Sequence, residues 1–168
     1  MSPRPALKDI TIRHSLRPGD VGYVTYLHGL LYGAEHGFGV QFEGYVSKGL
    51  MEFYENHDPD RDRVWLCEHD GRIIGSLFLM HREGNTAQVR YFLVRPEYRG
   101  IGLGKLLMDE FMSFLRAKGY RAAYLWTTSE LPAAAALYRR HGFRLTEEKE
   151  STTFGTRVTE QRYDLVLS

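Results

Sequence analysis

Gly100, Gly102 and Gly104 alternate within Arg99-Gly100-Ile101-Gly102-Leu103-Gly104-Lys105, and no other stretch constrains the chain as much. Ahead of them, Gln88-Val89-Arg90-Tyr91-Phe92-Leu93-Val94 is rich in β-branched and aromatic residues and reads as a strand. Behind them, Leu103, Leu106, Leu107, Phe111, Phe114 and Leu115 recur at three- and four-residue steps, one face of a helix. The glycines therefore sit where a strand turns into a helix. A helix start carries unpaired N–H groups and a partial positive charge, and glycine lets an anion approach the backbone. Arg99 and Lys105 add charge at either end. The bend is either a phosphate site or a tight turn with no ligand. It is not the dinucleotide fingerprint, whose spacing is G-x-G-x-x-G with an acid about 20 residues on. Nor is it a P-loop, because Leu106 follows Lys105 where a hydroxyl is needed.

Leu93-Val94-Arg95-Pro96-Glu97-Tyr98-Arg99-Gly100-Ile101-Gly102-Leu103-Gly104 resembles the acetyl-CoA loop of the GNAT superfamily of acyl-CoA N-acyltransferases. Arg99, Gly102 and Gly104 fill that family's [Q/R]-x-x-G-x-[G/A] motif. Leu137-Tyr138-Arg139-Arg140-His141-Gly142-Phe143 resembles the L-Y-x-x-x-G-F block that follows the family's next strand. The two blocks stand in the family's order and at its distance.

Composition bounds the partners. The 168 residues suit one domain, 1–168, with a proper core. Lys+Arg 22 against Asp+Glu 21 leaves no global field that would favour nucleic acid or an anionic membrane. No apolar run approaches the ~20 residues that span a bilayer, and Met1-Ser2-Pro3-Arg4-Pro5 lacks the apolar stretch of a secretory signal. Cys67 has no second cysteine to pair with, falls in a strand-like run and reads as a small core residue, with no metal site around it. A cytoplasmic location fits these features.

Taken in order, residues 10–16 alternate as a first strand. Asp20 is placed to N-cap a helix through Val21, Val24, Leu27 and Leu31, which Gly37 and Gly39 break. A second helix spans about Val40 to Tyr54. Strands follow at 64–68, 73–81 and 87–94, joined by His69-Asp70-Gly71 and Glu83-Gly84-Asn85. Gly119 caps the long helix, 122–127 is a strand, Ser129 or Leu131 opens a short helix, and 143–149 with 157–167 close as a hairpin. The order β-α-α-β-β-β-α-β-α-β-β is that of the α/β GNAT fold, a mixed, mostly antiparallel sheet whose strands splay into a V-shaped opening for the cofactor.

The resemblance implies acetyl transfer from a thioester to an amine in a direct ternary complex, with acetyl-CoA as co-substrate, no metal, an amine acceptor and a possible homodimer. Main-chain groups of Leu93 and Val94 are expected to meet the pantetheine arm. The N–H groups of Arg99, Gly100, Ile101, Gly102, Leu103, Gly104 and Lys105 are expected to meet the pyrophosphate. Leu131 stands where many members carry an asparagine, so any contact that asparagine makes is either lost or supplied by Ser129 or the backbone. A backbone N–H near Leu93–Val94 would hold the oxyanion, and Tyr138 would protonate the thiolate leaving group. Register places Gln88 where some members carry a glutamate base, and an amide takes no proton. Glu35, His36 and Glu43 are the candidate bases.

Three runs, at 28–37, 125–131 and 153–155, resemble the acetyltransferase half of bacterial proteins that fuse a MarR-type winged helix to a GNAT domain. With no winged helix in 1–168, a stand-alone enzyme or one domain is expected. Tyr23, Tyr26, His28, Tyr32 and His36 either line an acceptor pocket or serve as core and rim. Two other readings stay open: a regulatory module that binds acyl-CoA without turnover, and a nucleotide-binding regulator.

Overall fold

Two left-handed dipeptides, Asp70-Gly71 and Gly84-Asn85, bend the chain back on itself and put three successive strands side by side. The computed structural model describes residues 3–167. Its elements run β1 (Thr11–Arg13), α1 (Asp20–His36), α2 (Val40–Glu55), β2 (Arg63–His69), β3 (Arg72–Arg82) and β4 (Thr86–Val94). They continue with α3 (Leu103–Ala117), β5 (Ala122–Thr128), α4 (Pro132–Arg140), β6 (Arg144–Ser151) and β7 (Val158–Val166). The element order expected from the sequence holds throughout. The sheet order is β1-β2-β3-β4-β5-β7-β6, antiparallel except for β4 beside β5.

Apolar residues on both faces of the central strands make two cores. Trp65, Leu77, Leu79 and Val89 meet Leu103, Leu107, Phe111 and Leu115 of α3. Leu66, Phe78, Met80, Tyr91 and Leu93 meet Val24 and Leu27 of α1 and Val46, Leu50 and Phe53 of α2. Cys67 is buried in the α3 core, and burial pushes its thiol up to about 12.

Two local expectations are corrected. The first strand is three residues long rather than 10–16, because Arg13 turns back to donate to the Ser15 carbonyl and to Asp20. Gly19 rather than Asp20 is the N-cap of α1, with left-handed backbone. Asp20 is the first helical residue. Its carboxylate accepts from the Arg17 N–H at 2.6 Å and from the Arg13 guanidinium at 2.6 and 3.1 Å.

A bulge in β4 positions the site. Ser76 pairs with Leu93, but Phe78 pairs with Arg90, so Tyr91 and Phe92 together stand against Leu77. Tyr91 takes up the extra residue at a φ of 51°, and the Ser76 hydroxyl donates to its carbonyl at 2.6 Å. β4 and β5 pair only from Thr86–Ala122 to Gln88–Tyr124. Beyond that point the strands part, as the V-shaped opening requires.

Candidate active site

The parted strands open a cavity of about 580 Å³. From Val89 to Val94 on one side and Leu125 to Thr128 on the other, the facing main-chain edges have no ladder partner. Such groups need an acceptor or donor from outside the sheet. Thr128 lines the same gap and is 4% exposed, and its hydroxyl has no hydrogen-bond partner among the described residues.

At one end of the gap α3 begins. Gly102, its N-cap, has a φ of 91°, and a Cβ there would meet no atom within 4 Å. The glycine is thus required by backbone conformation rather than by space. No side chain caps the helix, so the first-turn N–H groups at Leu103, Gly104 and Lys105 face outward. Unpaired strand edges, an orphan hydroxyl and an uncapped helix start together fit an extended amide chain ending in phosphates, the form of coenzyme A.

Of the residues expected at the site, Leu93, Val94, Arg99, Gly100, Gly102, Leu103, Gly104, Lys105, Glu35, His36 and Tyr138 all line this cavity. Three do not. Ile101 turns its side chain into the α3 core. Ser129 is exposed and its N–H donates to the Thr159 carbonyl at 3.0 Å, continuing the sheet. Glu43 lies against α1, where a Cβ on Gly29 would meet its Oε1 at 2.8 Å.

Arg99 is not waiting for a ligand alone. Its Nε donates to the Val94 carbonyl at 3.0 Å, and its two terminal nitrogens donate to Glu35 at 2.7 and 2.8 Å. That pairing holds the Glu35 carboxyl below its usual range, which leaves it a poor proton acceptor near neutral pH. Gln88 is likewise occupied: its Oε1 accepts from Arg82 at 2.8 Å and from the Tyr124 hydroxyl at 3.3 Å.

Tyr138 of α4 is buried beside Phe92, Phe143 and Tyr163, each with ring centroids 6.2 Å away. Burial pushes its phenol well above the ordinary tyrosine range, so it is held as O–H. Of the α1 aromatics, His28, Tyr32 and His36 reach the cavity, while Tyr26 is exposed and Tyr23 packs on the α1–α2 core.

Sequence reasoning missed Arg90 and Glu160. Both line the cavity, on the side walled by α1 and α2 and by Phe154. Glu160, opposite Thr128 on β7, has no ion pair or hydrogen bond to its carboxylate among the described residues. The bulge that turns Arg90 inward leaves no mark in residue spacing.

The model of the acetyltransferase (GNAT) family matches residues 22–143. The uncharacterized N-acetyltransferase YjgM of Escherichia coli is 32% identical over 117 residues, covering 66% of this chain and 68% of that protein. The mycothiol acetyltransferase of Beutenbergia cavernae is longer: it is 33% identical over 86 residues, 50% of this chain and 29% of that protein. An acetyltransferase from Streptococcus agalactiae superposes with a TM-score of 0.73 at 20% identity, over 96% of this chain and all of its own. A GNAT acetyltransferase from Elizabethkingia anophelis, solved with acetyl-CoA bound, gives 0.64 at 18% identity over 95% of this chain and 99% of its own.

Proposed function

Because this chain belongs to the acetyltransferase (GNAT) family, we propose that it moves the acetyl group of acetyl-CoA to a primary amine by direct attack in a ternary complex. The observation that carries the reading is the end of β4–β5 pairing at Gln88–Tyr124, with the bare N-terminus of α3 and the Tyr138 phenol lining the same gap.

Acetyl-CoA supplies the thioester carbonyl. The chain supplies the rest. The unpaired β4 edge at Leu93–Val94 offers an N–H to the carbonyl oxygen as charge builds there. Tyr138, kept protonated by burial, donates to the departing sulfur. Glu160 takes the proton that an ammonium must lose before it can attack, since Glu35 is held by Arg99 and Glu43 lies outside the cavity. The C–N bond forms and the C–S bond breaks. The ammonium loses two protons: the first passes through Glu160 to solvent, and the second, lost after the C–N bond forms, balances the one given to sulfur.

The finer kinship to the acetyltransferase half of MarR–GNAT fusions, a cytoplasmic location and a homodimer belong to this proposal as well. The first rests on the three sequence runs. For location, no helix among the described residues is long and apolar enough to cross a membrane.

The test follows free CoA thiol with an amine panel for wild type, Tyr138→Phe and Glu160→Gln. Both variants are expected to bind acetyl-CoA as wild type does. Turnover should fall by about 10- to 100-fold in each, the usual scale for lost acid–base help. Wild-type rates in both would remove these roles, and no transfer to any amine would remove the reaction.

A further inference from the structure

Arg90 is a half-buried guanidinium on the α1–α2 face of the sheet with no carboxylate partner among the described residues. Its neighbours on that face are paired: Arg82 with Glu52 at 2.5 Å, Arg162 with Asp164 at 2.9 Å. Glu52 feels the Arg90 charge but is held by Arg82. Among the described residues, Arg90 has no carboxylate within 4.0 Å, and its only side-chain hydrogen bond is a weak one to Met80 Sδ at 3.9 Å. Five N–H donors thus meet a single thioether.

The group is nonetheless held in place. Its Cζ lies 4.7 Å over the Tyr91 ring and 5.4 Å over the Tyr45 ring. The backbone of α2 lies against its terminal nitrogens, from which a Cβ on Gly49 would stand 2.8 and 3.0 Å. A guanidinium fixed between two rings, lining a cavity and short of acceptors, is a preorganised anion fork.

An apolar wall continues from it. Tyr45 meets Phe154 at 5.3 Å, Phe154 meets Phe42 at 5.0 Å, and Phe42 meets Phe38 at 5.1 Å, centroid to centroid. All four line the cavity. Such a wall suits a flat apolar body.

We propose that the acceptor is a primary alkylamine that carries both an aromatic ring and a carboxylate, with the carboxylate on Arg90 and the ring against Tyr45, Phe42 and Phe154. One fork matches the two oxygens and single charge of a carboxylate better than a doubly charged phosphate. The inference rests on the acetyltransferase reading and sharpens it.

The experiment compares matched amines with and without the carboxylate: phenylalanine and phenethylamine, tryptophan and tryptamine, 4-(aminomethyl)benzoate and benzylamine. Calorimetry reads binding to the CoA-loaded protein, and thiol release reads kcat/KM. In wild type, at least one acid should exceed its partner by about 10- to 100-fold in both, the scale of a charged hydrogen-bonded pair. Arg90→Gln should bring that ratio to near one and Arg90→Lys should keep part of it, with acetyl-CoA binding as the check that both variants fold. Equal binding and rates within every pair overturn the proposal, as does a preference that survives Arg90→Gln. Acetyl transfer confined to amines without an anionic group overturns the anchor but leaves the enzyme reading standing. No acetyl-CoA binding and no transfer at all fail the enzyme reading first and the anchor with it.

Discussion

The Arg99 guanidinium grips the Glu35 carboxylate with two parallel hydrogen bonds, at 2.7 and 2.8 Å, across 64 residues of sequence. The pair ties the last turn of α1 to the glycine bend and sets one carboxylate beside the place where a pyrophosphate would sit.

That carboxylate competes with the phosphates for Arg99 and repels them. Both side chains are partly exposed, so the pair itself holds the fold together only weakly. Glu35→Gln is therefore expected to tighten acetyl-CoA binding by about two- to fivefold at low salt, with the gain fading near 0.5 M as charges are screened. Arg99→Ala should weaken binding and flatten its salt dependence. Calorimetric Kd values at two ionic strengths decide it. A Glu35→Gln protein that binds more weakly would reverse the assignment.

Tyr138→Phe separates binding from chemistry. The phenol is buried and raised by that burial, so it does not ionise below pH 10 and gives no alkaline limb of its own. Its loss should leave the Kd for acetyl-CoA within about twofold and lower kcat by about 10- to 100-fold at every pH. A changed KM with unchanged kcat would make the residue a packing element only.

What could be read in the sequence was local. Alternation, the two hairpin turns and the strand-to-helix change at Val94–Leu103 are written in neighbouring residues, so the element order and the glycine bend were legible. What could not be read depends on how distant faces meet. Glu43 and Glu35 look equivalent on their helices. Yet Gly29 leaves a dent in α1 that takes Glu43, whereas Glu35 finds Arg99. Arg90 reads as an ordinary strand cation until the bulge at Tyr91 and the bare flank of Gly49 turn it into the cavity. Ser129 had the right chemistry, but the β5–β7 pairing claims its N–H.

His28 gives the fold an acid limit. It is 3% exposed, its Nδ1–H donates to the Val24 carbonyl at 2.8 Å, and its Nε2 has no partner among the described residues. Burial lowers its pKa to about 4, whereas the unfolded chain takes the proton near 6.5. The unfolded state thus binds more protons between those values, and stability is whole above pH 6.5 and falls as pH drops towards 4. The loss from this residue is at most ~3 kcal/mol, from 1.36 kcal/mol per unit. Urea midpoints from pH 7.5 to 4.5 should fall more steeply for wild type than for His28→Leu. Parallel curves would mean that the ring is solvated.

The bend itself can be tested by separating its backbone from its charge. At Gly102 a side chain meets open space, so Gly102→Ala adds only the left-handed strain, about 1–2 kcal/mol. The thermal midpoint should drop by about 2–8 °C for a chain of this size, and acetyl-CoA should still bind. Gly102→Glu adds the same strain plus a carboxylate at the positive end of α3, on the N–H groups meant for phosphate. Its midpoint should resemble that of Gly102→Ala, because an acid at a helix start is favourable. Its affinity for acetyl-CoA should be lost by at least about 100-fold, since each 1.4 kcal/mol of repulsion or clash is tenfold. Equal affinity in the two variants would mean that the phosphates sit elsewhere, and the Arg99 and Lys105 assignments would go with them.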